Sequence, residues 1–187
     1  MALQKMEEQY ALGAKIADTA AMAGDAVAIG DILLDAGRPD EARKRYAQAL
    51  NLVTGSSLSG DVKEDAQLAG HYNLARVALN ENDLATAKAE ATKYLSGAEA
   101  RHNDTRLRQA HRLAGMIALQ ERKFDQAIAE LAQANQQDPY VLYTTALAHR
   151  GKGDAAKAKE LARRAANMNT LPTLDYVFIR AKAKKMS

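Results

Sequence analysis

Residues 30–50 read GDILLDAGRPDEARKRYAQAL. Apolar and small side chains recur three and four positions apart on either side of Gly37-Arg38-Pro39, the period of an amphipathic helix. Gly37 can take the left-handed conformation that closes one helix. Pro39 suits the first turn of the next, where its missing N–H costs nothing. The stretch therefore predicts two helices joined by a tight turn. Small side chains at Gly30, Ala42 and Ala49 let the two backbones approach, and Tyr46 and Leu50 fill the space beside them.

The same pattern recurs along the chain. Ala42, Ala87, Ala127 and Ala158 each have a Gly or Ala twelve residues upstream, at Gly30, Ala75, Gly115 and Ala146. Around these anchors stand Asp83-Leu84-Ala85-Thr86-Ala87 with Tyr94 and Leu95, then Lys123-Phe124-Asp125-Gln126-Ala127 with Leu131, Ala134 and Pro139. The last copy is Gly153-Asp154-Ala155-Ala156-Lys157-Ala158 with Ala162 and Ala165. Four copies with one internal spacing mark a repeat architecture. The arrangement resembles the tetratricopeptide repeat, a helix-turn-helix unit of about 34 residues. That resemblance covers about Ala23 to Pro172. It implies an all-α fold, an α-α superhelix of right-handed helical-hairpin type with capping helices at its ends.

On this reading residues 1–187 form a single domain: an N-terminal helix over 1–22, four repeats over 23–172 and a C-terminal capping helix over 173–187. Leu3 to Met22 is expected as one long amphipathic helix, either a cap or the second helix of a truncated preceding unit. Leu174 to Met186 is expected to hide the last apolar face. The anchors are separated by 45, 40 and 31 residues, so the first two intervals exceed the family's usual length. Loop-forming residues at Thr54 to Gly60 and at Ser96 to Asp104 are where most of the excess is expected, with some of it lengthening first helices. Tyr94 also stands where the family prefers Ala.

Composition agrees with closely packed helices. Apolar residues make up 47% of the chain, yet it holds two Phe, seven Tyr and no Trp, so its apolar mass is mainly Ala and Leu. With no Cys, disulfides, thiolate ligands and cysteine nucleophiles are excluded together. No apolar run approaches the roughly 20 residues of a membrane span, which predicts a soluble chain. The compartment stays open between cytoplasm and periplasm, since an upstream signal segment could have been removed. The formal charge of +3 is uneven. From Arg150 to Ser187 ten Lys or Arg face three acids, leaving a net −4 on the rest.

The resemblance further implies that the first helix of each unit lines a concave surface. Projected from their small anchors, the residues facing it are Asp31 and Asp35, then Tyr72, Asn73, Arg76 and Asn80, then Arg112, Met116, Gln120, Tyr143, Thr144 and Arg150. The lining is polar and basic in its middle. Arg can clamp carboxylates through two parallel hydrogen bonds and Tyr offers a rigid platform, so an acidic peptide or a C-terminal carboxylate is the expected ligand. Some members of the family bind the C-terminal carboxylate of chaperones with a Lys/Asn, Asn, Lys/Arg set. Mapped here, those positions are Val27, Asp31, Asn73, Gln109 and Leu113, of which Asn73 alone fits, so that activity is not expected.

His71, His102, His111 and His149 lack metal-ligand spacing. His71 and His111 fall at equivalent repeat positions, where the family places a large packing residue. No His-Glu-x-x-His, nucleophile elbow or phosphate-binding glycine loop is present, so no enzyme activity, metal or cofactor is expected. The chain reads as a non-enzymatic interaction scaffold that binds a peptide or helix of a protein partner. Two alternatives remain: a nucleic-acid-binding helical-repeat protein, suggested by the pI near 9 and the basic end, and an oligomerisation module. The uneven intervals speak against one-base-per-repeat reading.

Overall fold

The computed structural model describes residues 2–169 and 174–187. The described residues form ten helices and no strand: α1 Ala2–Lys15, α2 Thr19–Asp35, α3 Pro39–Thr54, α4 Gly60–Asn80, α5 Leu84–Ala100, α6 Asp104–Gln120, α7 Phe124–Gln133, α8 Pro139–Lys152, α9 Ala155–Asn167 and α10 Asp175–Lys184. They belong to two compact units, Met1–Tyr94 and Leu95–Ser187. Within each, successive helices pack against each other. The expected end of the fourth repeat at Pro172 lies outside the described residues.

The turns repeat more regularly than the sequence. Gly37, Asn82, Arg122 and Gly153 all have left-handed backbones, with φ of 72°, 61°, 62° and 93°. Each stands seven residues after its small anchor and five before its alanine anchor. In every case the N–H of the left-handed residue reaches the carbonyl three residues back, and the next N–H reaches the carbonyl five back, as in Gly37 to Leu34 and Arg38 to Leu33. Those bonds satisfy carbonyls that the helix end would otherwise leave unpaired. Ala17 and His102 make the same turn between hairpins, at φ of 54° and 47°. Asp18, Asp83, Asn103 and Asp154 then cap the following helix, each accepting the backbone N–H three residues on. Such a cap contributes about 1 kcal/mol.

Two boundaries differ from expectation. Residues 3–22 are not one helix, because the chain turns at Ala17 and Asp18 restarts it as an N-cap. Residues 96–104 are not mostly loop, because α5 continues through Ser96 and Gly97 to Ala100. Tyr94 and Ala98, one helical turn apart, are both buried, and that burial outweighs the turn propensity of Ser and Gly. The 40-residue interval is therefore two helices of 17 residues each, α5 and α6, with short turns. Its excess lies in helix length. The 45-residue interval combines the connection 55–59 with a 21-residue α4.

In the first unit Ile29, Leu33, Leu34, Ala42, Tyr46 and Val77 form one apolar cluster, with Leu3, Met6 and Tyr10 of α1 against it. A side chain at Gly30 would place its Cβ 2.5 Å from the Tyr46 ring, so the ring lies on the bare backbone of α2. Gly115 does the same for Leu131 in the second unit, again at 2.5 Å. There α10 buries Ile179 and Ala183 against Leu142, Ala146, Leu161, Ala162, Ala165 and Ala166 of α8 and α9. Each fully buried Leu or Ile contributes about 1.5–3 kcal/mol.

Candidate functional site

In the first unit the expected residues gather around one carboxylate. Arg76, on α4, donates from Nη1 to Asp31 Oδ1 of α2 at 2.7 Å. The Tyr46 hydroxyl, on α3, donates to the same oxygen at 2.8 Å. The Arg76 guanidinium lies 5.6 Å from the centre of the Tyr72 ring, a cation–π contact. Tyr72 in turn tilts against Tyr94 at 5.2 Å between ring centres. Asn73 is buried beside them and its Oδ1 lies at the limit of hydrogen bonding from Arg76, 3.5 Å. Asn80, one turn beyond Arg76, is exposed and reaches the Leu34 carbonyl at 3.4 Å.

The electrostatics follow from this enclosure. Burial works against the Arg76 charge, but Asp31, Tyr46 and Tyr72 outweigh it and hold the guanidinium pKa well above its ordinary value. Burial pushes the Tyr46 hydroxyl up, opposed by Arg76 and reinforced by Asp31. Both groups keep their protons throughout the physiological range. Arg76, with 15% of its side chain exposed, is thus a fixed strut joining α4 to α2, and its charge already has a carboxylate.

The second unit repeats the device with different residues. Arg112 of α6 is buried and donates from Nη1 to Asp138 Oδ2 at 2.7 Å. Asp138 uses its other oxygen to cap α8, accepting the Tyr140 N–H at 2.8 Å. The Arg112 guanidinium stacks 4.3 Å from the Tyr140 ring centre. One side chain therefore ties α6 to the first turn of α8. Met116, on α6, is half-buried, as is Tyr143 on α8. Tyr143 packs on the cluster of α8, α9 and α10. Thr144 is buried and spends its hydroxyl on the Tyr140 carbonyl at 2.8 Å. Arg150 is exposed near the end of α8.

Two further pairs were not foreseen. His71 Nδ1 lies 2.6 Å from Glu90 Oε2, and His111 Nδ1 lies 2.9 Å from Glu130 Oε2. Both members of the pair move by the 40-residue interval, so each ties a first helix to the second helix of its own hairpin. Burial of Glu90 is outweighed by Lys93 and His71, and its pKa lies below the ordinary value. The recurrence of Glu at 90 and 130, in step with His at 71 and 111, was the available signal.

Among the described residues no three His, Asp or Glu side chains converge as a metal site would require. No described helix is long and apolar enough to cross a membrane. An open depression on the outer face of α3, lined by Lys44, Ala47, Gln48, Asn51 and Leu52, contains none of the expected residues. No protein-family model and no curated protein matches the chain.

Proposed function

We propose that the chain is a helical repeat of tetratricopeptide type acting as a non-enzymatic scaffold, with the first-helix faces of its hairpins binding a peptide or helix of a protein partner. The observation that carries this reading is the constancy of the four hairpin turns: a left-handed residue seven positions after the small anchor and five before the alanine anchor, four times over. Repeated hairpins of this kind do no chemistry by themselves. They present a rigid surface whose ordering cost is met during folding rather than on binding.

The residues divide into two roles. Arg76, Asn73, Arg112 and Thr144 hold the surface in shape through their internal bonds. Asn80 and Arg150 are exposed, and Tyr72, Met116 and Tyr143 keep part of their surface in solvent. Tyr72 and Asn80 are the contact residues of the first unit, and Met116, Tyr143 and Arg150 those of the second. An amphipathic Tyr and an adaptable Met suit partner side chains, and Arg150 supplies a cation for an acidic residue.

Affinity capture from an extract of the source organism tests this, comparing the unaltered chain with Tyr143→Ala/Arg150→Glu. Circular dichroism must first show the two equally folded. Specific proteins retained by the first and lost from the second are the expected result. Equal retention by both would overturn the assignment of these faces.

A further inference from the structure

We propose that the outer face of α10 is a second docking surface, separate from the first-helix faces, and that it takes an acidic amphipathic helix of a protein partner. The helix has two distinct sides. Tyr176, Ile179 and Ala183 are buried, with Ile179 and Ala183 in the cluster shared with α8 and α9. Flanking them, Val177, Arg180, Ala181 and Lys184 are all exposed. Their spacing of three, four and seven residues makes them one stripe along the helix. Val177 is 70% exposed, a large apolar side chain left in water at the head of that stripe.

The segment that carries the stripe is net positive. From Ala155 to Ser187 the chain has eight Lys or Arg against Glu160 and Asp175. Lys157 is paired with Glu160, and Arg164 stands 3.9 Å from it. Arg180 stacks on Tyr176 within its own helix. Lys184 and Lys185 make no ion pair among the described residues. Complementary charge thus defines the partner, and the apolar members define its form. Residues four apart on a helix are about 6 Å apart along its axis, so an acidic helix with Glu and Leu at that interval would meet both the cations and the Val177–Ala181 stripe.

A phosphate backbone fits less well. It would satisfy the cations but leave Val177 and Ala181 without a counterpart. Stacking on bases needs exposed aromatic faces, whereas Tyr176 is buried under Arg180 and Phe178 is half-buried.

The test is fluorescence anisotropy of the full chain with a labelled synthetic helix of about 20 residues, long enough to be stable in water, with Glu and Leu four apart. Saturable binding that weakens as salt rises is expected. Val177→Asp/Lys184→Glu should weaken it about tenfold or more. Lys44→Glu, on α3, should leave it unchanged, which excludes a general charge effect. Arg150→Glu alone, on the first-helix face of α8 and outside the cluster that seats α10, should also leave it unchanged, so failure here and failure of the first-helix reading are distinguishable. The inference is overturned if the peptide does not bind, or if Val177→Asp/Lys184→Glu binds equally well. It is also overturned if a peptide of equal charge but scrambled order binds as tightly, or if duplex DNA or vesicles of anionic phospholipid bind more tightly.

Discussion

Asp31 Oδ1 accepts hydrogen bonds from both Arg76 at 2.7 Å and Tyr46 at 2.8 Å, joining three helices of the first unit through one atom. Its removal leaves a largely buried cation and a buried hydroxyl without their acceptor. Asp31→Ala should therefore destabilise the first unit by about 2–3 kcal/mol. Tyr46→Phe, which deletes one donor and keeps the ring on Gly30, should cost about 1 kcal/mol. Because the two bonds share an atom, the double variant should cost less than the sum. Urea unfolding of the three variants checks both the order and the coupling.

Two acids should affect acid stability with opposite sign. The folded pKa of Glu90 lies below the ordinary 4.5, so the folded state binds fewer protons than the unfolded one. Its contribution is full above that ordinary value and is lost as pH falls through the lowered one. Asp25 is buried with Oδ2 unbonded. Burial, then the nearby Asp18, raises its pKa above 3.8, so its ionisation costs stability as pH rises through that range. Glu90→Gln should lower the melting temperature at neutral pH and converge with the unaltered chain in acid. Asp25→Asn should raise it at neutral pH, by about 1 kcal/mol of stability, and lose that advantage in acid. Melting curves over a pH series read both.

The glycines separate by what surrounds them. Gly115→Ala would bring a methyl group 2.5 Å from Leu131 Cγ and 3.3 Å from the Ala127 carbonyl oxygen, and should cost about 1–3 kcal/mol. Gly24 sits within α2 with nothing inside 4 Å of the added carbon. Gly24→Ala should stabilise by about 0.5–1 kcal/mol. Differential scanning calorimetry of the two variants should show shifts of opposite direction.

The hairpins were legible because their information is local: small anchors, turn residues and apolar period lie within 20 residues of each other. The breaks were less so. Apolar spacing runs on through Ile16 and Ala20, masking the turn at Ala17, although Asp18-Thr19 is a helix-start signal. The first-helix residues were identified by projecting one helix at a time, which cannot see acceptors on other helices. Asp31 lies 45 residues before Arg76, and Asp138 lies 26 after Arg112. Thus the polarity of these faces was readable, but the engagement of both arginines was not. The His–Glu ties escaped for the same reason.

The central claim is that partners meet the first-helix faces. A photo-crosslinking phenylalanine analogue at position 143 on α8, compared with one at position 44 on the outer face of α3, tests it most directly. After irradiation in the source extract, position 143 should give discrete protein adducts that position 44 does not. Adducts at position 44 with none at 143, or the same adducts at both, would contradict the account.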